Sequence, residues 1–135
     1  MKVKIKRLHK DSVIPTYAKD GDAGMDLTAT RMWFDDDDNV CYGTGLAFEI
    51  PKGYVGLLFP RSSNAKKDLL LSNSVGVLDS DYRGEIGIII INHGDTPFTI
   101  KNGDRIAQMA IQQVEQAKFI EADKLDETER GEGGF

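Results

Sequence analysis

The sequence predicts an all-β domain of the sandwich, jelly-roll or barrel kind. Three observations carry that expectation. Apolar and polar residues alternate with a period of two through most of the chain, the apolar runs are short, and turn signals rich in Gly, Pro, Asn and Asp separate them at even spacing. At the start, Val3 and Ile5 alternate with Lys2, Lys4 and Lys6, a strand with one wet face. Asp35-Asp36-Asp37-Asp38-Asn39 lacks the ligand spacing and the glycine of a calcium loop, so it reads as a solvated connection. Leu46, Phe48 and Ile50 alternate with Ala47 and Glu49. Pro51-Lys52-Gly53 then makes a turn, with proline presetting φ and glycine free to be left-handed. Tyr54 to Phe59 is the next strand.

One helix is expected in this β chain. Ser62 or Ser63 can cap it, and Ala65, Leu69 and Leu70 give an apolar stripe ending near Ser72-Asn73. It reads either as a capped connector or as a phosphate site built from Arg61, the serine hydroxyls and free helix-start amides. Beyond it, Val75, Val77 and Leu78 enter a charged cluster, and Ile86, Ile88, Ile89, Ile90 and Ile91 leave it, the pattern of a hairpin. Asn92-His93-Gly94-Asp95 and Lys101-Asn102-Gly103-Asp104 mark two more turns, the second a hairpin signal. From Glu121 the chain turns polar and then glycine-rich, as in an arm lying on another surface or a disordered tail.

Composition narrows the function classes. A chain of 135 residues makes one domain, and 40% hydrophobic with 29% charged residues is ordinary for a globular protein. A net charge of -5 argues against broad electrostatic binding of nucleic acid, so an anionic ligand would need locally placed donors. Cys41 is the single cysteine, which excludes an internal disulfide, and His9 and His93 lie too far apart to suggest a histidine metal site. The regular alternation of the first residues is unlike a signal peptide, and no apolar run approaches a membrane span. The cytoplasm is the expected location, with no membrane partner.

The densest chemistry lies in Gly76-Val77-Leu78-Asp79-Ser80-Asp81-Tyr82-Arg83-Gly84-Glu85-Ile86. Asp79, Asp81, Tyr82 and Arg83 together offer a base, an aromatic face and an anion clamp. Asp81 is two residues from Asp79 and can share its strand face, or it can pair with Arg83. Around this segment stand Ala23-Gly24-Met25-Asp26-Leu27, Pro60-Arg61-Ser62-Ser63, Asn102-Gly103-Asp104-Arg105-Ile106-Ala107-Gln108 and Arg130-Gly131-Glu132-Gly133-Gly134-Phe135. In this order the segments resemble the five motifs of the trimeric dUTP diphosphatases (dUTPases), over residues 23 to 135.

The resemblance implies a jelly-roll subunit in a homotrimer with shared sites, a β domain over residues 1–122 and a C-terminal arm over 123–135. It implies hydrolysis of dUTP to dUMP and pyrophosphate, with Asp79 activating the water that attacks the α-phosphorus. Tyr82 would pack against the deoxyribose and exclude a 2′-hydroxyl, while Asn73 and the main chain of Val77, Leu78, Asp79 and Gly87 read uracil. Arg61, Ser62, Ser63 and Gln108 match the phosphate-binding positions. Mg²⁺ is expected on the substrate phosphates with waters completing its shell, and Asp26 supports it through water. Arg130 would neutralise phosphate charge and Phe135 cover the base; the family pattern continues past this ring with Gly, Ser/Thr and Gly, so a chain stopping at Phe135 is expected to be less active. Two other functions fit the same scaffold: a dCTP deaminase of the same superfamily, and a non-catalytic dUTP-sensing or protein-binding module.

Overall fold

A computed structural model describes residues 1–36 and 39–134. Among them the strands are β1 Lys4–Arg7, β2 Met25–Thr28, β3 Arg31–Phe34, β4 Val40–Gly43, β5 Leu46–Glu49, β6 Tyr54–Phe59, β7 Leu69–Leu71, β8 Gly76–Leu78, β9 Gly87–Asn92 and β10 Arg105–Gln113. A single helical turn, α1 (Ser62–Ala65), follows β6. Every pairing is antiparallel, in one sheet ordered β2-β10-β6-β8, a second ordered β3-β4-β9-β7, and a β1-β5 ribbon. The all-β expectation is borne out.

The alternation read from the sequence sets what is buried. Leu27 and Met109 from the first sheet, Tyr42 and Ile88 from the second, and Leu46 and Phe48 from the ribbon meet in one core. Ile86, Ile88 and Ile90 point inward, whereas Ile91 is exposed, as a period of two demands. The Pro51–Gly53 turn forms as expected, with Gly53 at φ 88° where a side chain would be strained.

Three local expectations need correction. The helix does not run to Ser72: it stops after Ala65, and Leu69 and Leu70 belong to β7, which pairs with β9. Three leucines over so short a stretch fit either period, and the open edge of β9 decides for a strand. Arg61, not a serine, occupies the N-cap, and no side-chain cap bond is made. A single turn also has little dipole, so any anion here must be held by side chains.

The second correction concerns the hairpin. β8 and β9 do not pair; β8 lies against β6, and β9 against β4 and β7, so the chain crosses from one sheet to the other between Leu78 and Gly87. The burial of Ile86 and Leu78 in a shared core pulls the two arms apart. Third, the turn at Asn102-Gly103 does not join two strands of a hairpin. It clips onto β2 instead, through Gly103 N–H to the Ala29 carbonyl and Ala29 N–H to the Asp104 carbonyl, both at 2.8 Å.

Candidate active site

The register of the first sheet brings three motif segments to one place. Asp26 on β2 faces Gln108 on β10, which in turn faces Phe59 at the end of β6, two residues before Arg61. Met25 and Leu27 are buried on either side of Asp26, and Ala107 and Met109 on either side of Gln108. The polar side chains therefore project from the outer face of the sheet. Arg61 Nε donates to Asp26 Oδ1 at 2.7 Å, and its Nη1 donates to Ser63 Oγ at 3.1 Å. Arg105 Nη1 donates to Asp26 Oδ2 at 3.3 Å. Asp26 thus holds two guanidinium groups side by side, and the three groups together carry one net positive charge.

The surrounding groups fix this cluster. Gln108 Nε2 donates to the Pro60 carbonyl at 3.0 Å, and a side chain on Gly24 would collide with the Gln108 amide. Asn64 is buried and donates from Nδ2 to the Ile106 carbonyl at 3.2 Å, which bolts α1 to β10. Gly24, Asp26, Arg61, Ser62 and Gln108 border a cleft of about 410 Å³, with Thr16, Ala18 and Asp22 on its rim. An arginine with free Nη donors, serine hydroxyls and an amide make a site for a multiply charged oxyanion.

Asp79, Asp81 and Tyr82 stand elsewhere. Asp79 and Asp81 are exposed and lie in a turn, not on a strand face, closed by Tyr82 N–H to the Asp79 carbonyl at 3.2 Å. Arg83 does not pair with Asp81: its Nη1 donates to the carbonyls of Ser80 (2.7 Å) and Tyr82 (3.0 Å). The Tyr82 hydroxyl donates to the Glu85 carbonyl at 3.1 Å, and its ring lies over Gly84, where a side chain would overlap it. Val77, Asp79, Asp81 and Arg83 border a separate cleft of about 1100 Å³ with Val55, Tyr54 and Lys52. β8 is an edge strand, so one side of its main chain is unpaired. Val77 and Leu78 are in it, Gly87 opens β9, and Asn73 is exposed in the turn between β7 and β8.

The two clefts share no lining residue. Leu78 pairs with Gly56, while Gln108 pairs with Phe59. Asp79 thus emerges near Val55 and Arg61 beyond Phe59, at opposite ends of β6; Val55 to Phe59 alone spans roughly 13 Å. A family model described as dUTPase matches residues 10–135. The chain belongs to the dUTPase family.

Relatives agree along the whole length. A deoxyuridine 5'-triphosphate nucleotidohydrolase of Desulfitobacterium hafniense is 49% identical over 142 residues, covering 100% of this chain and 94% of that protein. One from Syntrophotalea carbinolica is 45% identical, covering 98% of this chain and 93% of its own. Among solved structures, a Staphylococcus bacteriophage 80alpha dUTPase with dUpNHpp superposes with a TM-score of 0.85 at 28% identity, covering 99% of this chain and 96% of the phage chain.

Within the dUTPase fold the tail stays apart from both clefts. Arg130 is exposed and folds back on its own turn, with Nε donating to the Gly133 carbonyl at 2.5 Å. Phe135, Asp37 and Asp38 lie outside the described residues. Among the described residues no group of three or more His, Cys, Asp or Glu side chains is placed to hold a metal.

Three residues that hold these regions in place escaped the sequence reading. Arg105 was seen only as part of a motif, although its place on β10 beside Gln108 could have signalled a second guanidinium. Asn64 carries no pattern of its own; only its burial singles it out. Glu85 closes the charged segment, and its role depends on contacts 40 and 54 residues away. Burial pushes its carboxyl up, but bonds from Arg31 and the Gly45 amide, with the Arg31 and His9 charges, outweigh burial and hold it below the usual carboxylate range.

Proposed function

We propose that the protein hydrolyses dUTP to dUMP and pyrophosphate at sites shared between copies of the chain. One observation supports this reading: the Asp79 loop and the Arg61 cleft sit at opposite ends of β6 in a family whose relatives are named for this reaction. The β- and γ-phosphates lie only one and two P–O–P bridges from the attacked phosphorus, so a clamp on them must stand close to Asp79. One chain does not bring the two together. A second copy can present its 410 Å³ cleft to the Asp79 loop of the first. Cyclic symmetry then gives every copy both partners, and the resemblance sets the number at three.

In the assembled site Asp79 orients a water and takes its proton as the water oxygen bonds to the α-phosphorus. The bond from that phosphorus to the bridging oxygen breaks, and pyrophosphate leaves with the oxygen. Arg61, Ser62, Ser63 and Gln108 bind the phosphates, with Arg105 and Asp26 holding Arg61 in place. Uracil enters the fork between β8 and β9, where the main chain of Val77, Leu78, Asp79 and Gly87 and the Asn73 amide can read its edge. Tyr82 stacks beside the deoxyribose and leaves no room for a 2′-hydroxyl. The donor set suits Mg²⁺ carried on the phosphates: Asp26 is already engaged by two arginines and can reach the ion only through water. Bound there, Mg²⁺ would offset phosphate charge.

We assign residues 1–122 to the β domain and 123–135 to an arm that closes the site with Arg130 and Phe135. Phe119, Ile120 and Leu125 are all more than four-fifths exposed on their own chain, which suits an approach that rests on another copy. Among the described residues no helix is long and apolar enough to cross a membrane. The cytoplasm, where nucleotide pools are kept, is the proposed location.

The test is pyrophosphate release with dUTP, dCTP and UTP as parallel substrates, and light scattering on the same sample. Release from dUTP alone, at a mass of three chains, is the expected result. Ammonia release from dCTP would instead favour deamination, and tight dUTP binding without turnover a sensing role.

A further inference from the structure

The loop from Asp79 to Glu85 has few ties to the rest of the molecule. Among the described residues its side chains reach beyond the loop through hydrogen bonds or ion pairs at one point only, the Glu85 carboxylate. Oε1 accepts the Gly45 N–H at 2.8 Å, and Oε2 accepts the Arg31 guanidinium. Arg31 itself lies on the Trp33 ring, 4.9 Å from its centroid. The three side chains converge over Gly43, where a side chain would meet Glu85, Trp33 and Arg31 at once. The carboxylate is mostly shielded, at 14% exposed, while the Arg31 side chain is 52% exposed. The main chain of Glu85, in turn, receives the Tyr82 hydroxyl.

We propose that Glu85 is a positioning residue for sugar discrimination, its carboxylate latching the loop to Arg31 and Gly45 so that Tyr82 is set at a fixed height in the fork. This rests on the dUTP reading above. A tyrosine excludes a hydroxyl only if its ring cannot retreat. Tyr82 is 47% exposed, and its hydroxyl is tied to the Glu85 carbonyl, so the position of the ring follows that carbonyl. With the latch released, the hydrogen bonds left to residues 79–85 among the described residues are internal to the loop: the Asp79–Tyr82 turn, the Arg83 contacts and the Tyr82 bond to the Glu85 carbonyl.

The test compares kcat/KM for dUTP and UTP in wild type, Arg31→Met, Arg31→Lys and Glu85→Gln, with melting temperature measured alongside. Loss of folded protein lowers both substrates equally and leaves their ratio unchanged; a displaced Tyr82 does not. Arg31→Met and Glu85→Gln are expected to reduce the dUTP preference by about 10-fold. Arg31→Lys should recover most of it. Fluorescence of Trp33, the single tryptophan, should shift in Arg31→Met and confirm that the guanidinium has left the ring. Arg31→Met changes only a half-exposed side chain and decides the matter if Glu85→Gln fails to fold. A wild-type dUTP to UTP ratio in Arg31→Met overturns the latch, whatever its melting temperature. Wild type that releases no pyrophosphate from dUTP would remove the underlying reading instead.

Discussion

The cleft at Asp26 and Arg61 and the loop at Asp79 are built on different terms. In the cleft, Asp26 on β2 holds Arg61, just past β6, and Arg105 on β10, while Gln108 on β10 bonds to the Pro60 carbonyl, and Asp26 and Gln108 each project from between buried neighbours of the core. The loop stands on no strand: it crosses from one sheet to the other, bonds chiefly to itself, and touches the rest through the Glu85 carboxylate. The contrast fits the two tasks. A triphosphate presents the same charged oxygens in every nucleotide, so a rigid set of cationic and hydroxyl groups serves it. Base and sugar must be told from near-identical ones, and that calls for main-chain groups and a ring at set distances. On the proposed reading each region supplies what the other lacks, and the two meet between copies of the chain.

Several changes separate the two regions, taken here from the largest effect down. Asp79→Asn keeps the size of the side chain and removes the proposed base. It should lower kcat by about 10²- to 10⁴-fold while dUpNHpp binding stays near wild type by calorimetry. Near-normal turnover would move the base elsewhere. In the cleft, Arg61→Lys keeps the charge and loses the planar fork that spans Asp26 and Ser63. Its kcat/KM should fall on the order of 10²-fold, with tighter dependence on KM than in the loop variant. Equal loss in KM for the two variants would erase the division of labour. Tyr82→Ala should leave phosphate binding intact and narrow the preference for dUTP over UTP by roughly 10-fold; an unchanged preference would mean the sugar is read by other groups.

The smallest effect concerns stability. The Glu85 carboxyl is held below its ordinary range in the fold, so its contribution is present above about pH 4.3 and is lost as pH falls through the lowered native value. Wild type should therefore be more stable than Glu85→Gln near neutrality, and the gap in melting temperature should close on acidification. A gap that stays constant down to about pH 3 would mean that the Arg31 contact does not favour the ionised form.

How much of this was legible in the sequence follows the same division. The cleft was largely readable, because its donors are side chains, and a strand period of two tells which of them leave the core: Asp26 between Met25 and Leu27, Gln108 between Ala107 and Met109. The all-β class came from the same signal. The loop was readable only in its residue types. Its alternating apolar flanks looked like a hairpin, but nothing local shows that Leu78 pairs with Gly56 while Gly87 pairs with Gly43. Strand pairing is a long-range property, so the fork went unseen, and with it the partners of Glu85. The helix was overextended for a related reason: Leu69 to Leu71 suit a helix face or a strand until β9 offers a partner.

The shared site is the central claim, and subunit mixing tests it most directly. Asp79→Asn and Arg61→Ala chains are each expected to be inactive alone. Denatured together in equal amounts and refolded, they can assemble sites with the intact Asp79 loop of one chain against the intact Arg61 cleft of the other. For random assembly into a closed ring, about a quarter of all loop–cleft pairs are fully intact. The account predicts that mixed refolding restores about a quarter of wild-type dUTP turnover, while mixing without unfolding restores none. Refolded mixtures that stay as inactive as the separate variants, although light scattering and mass analysis find both chains in one assembly, would contradict it.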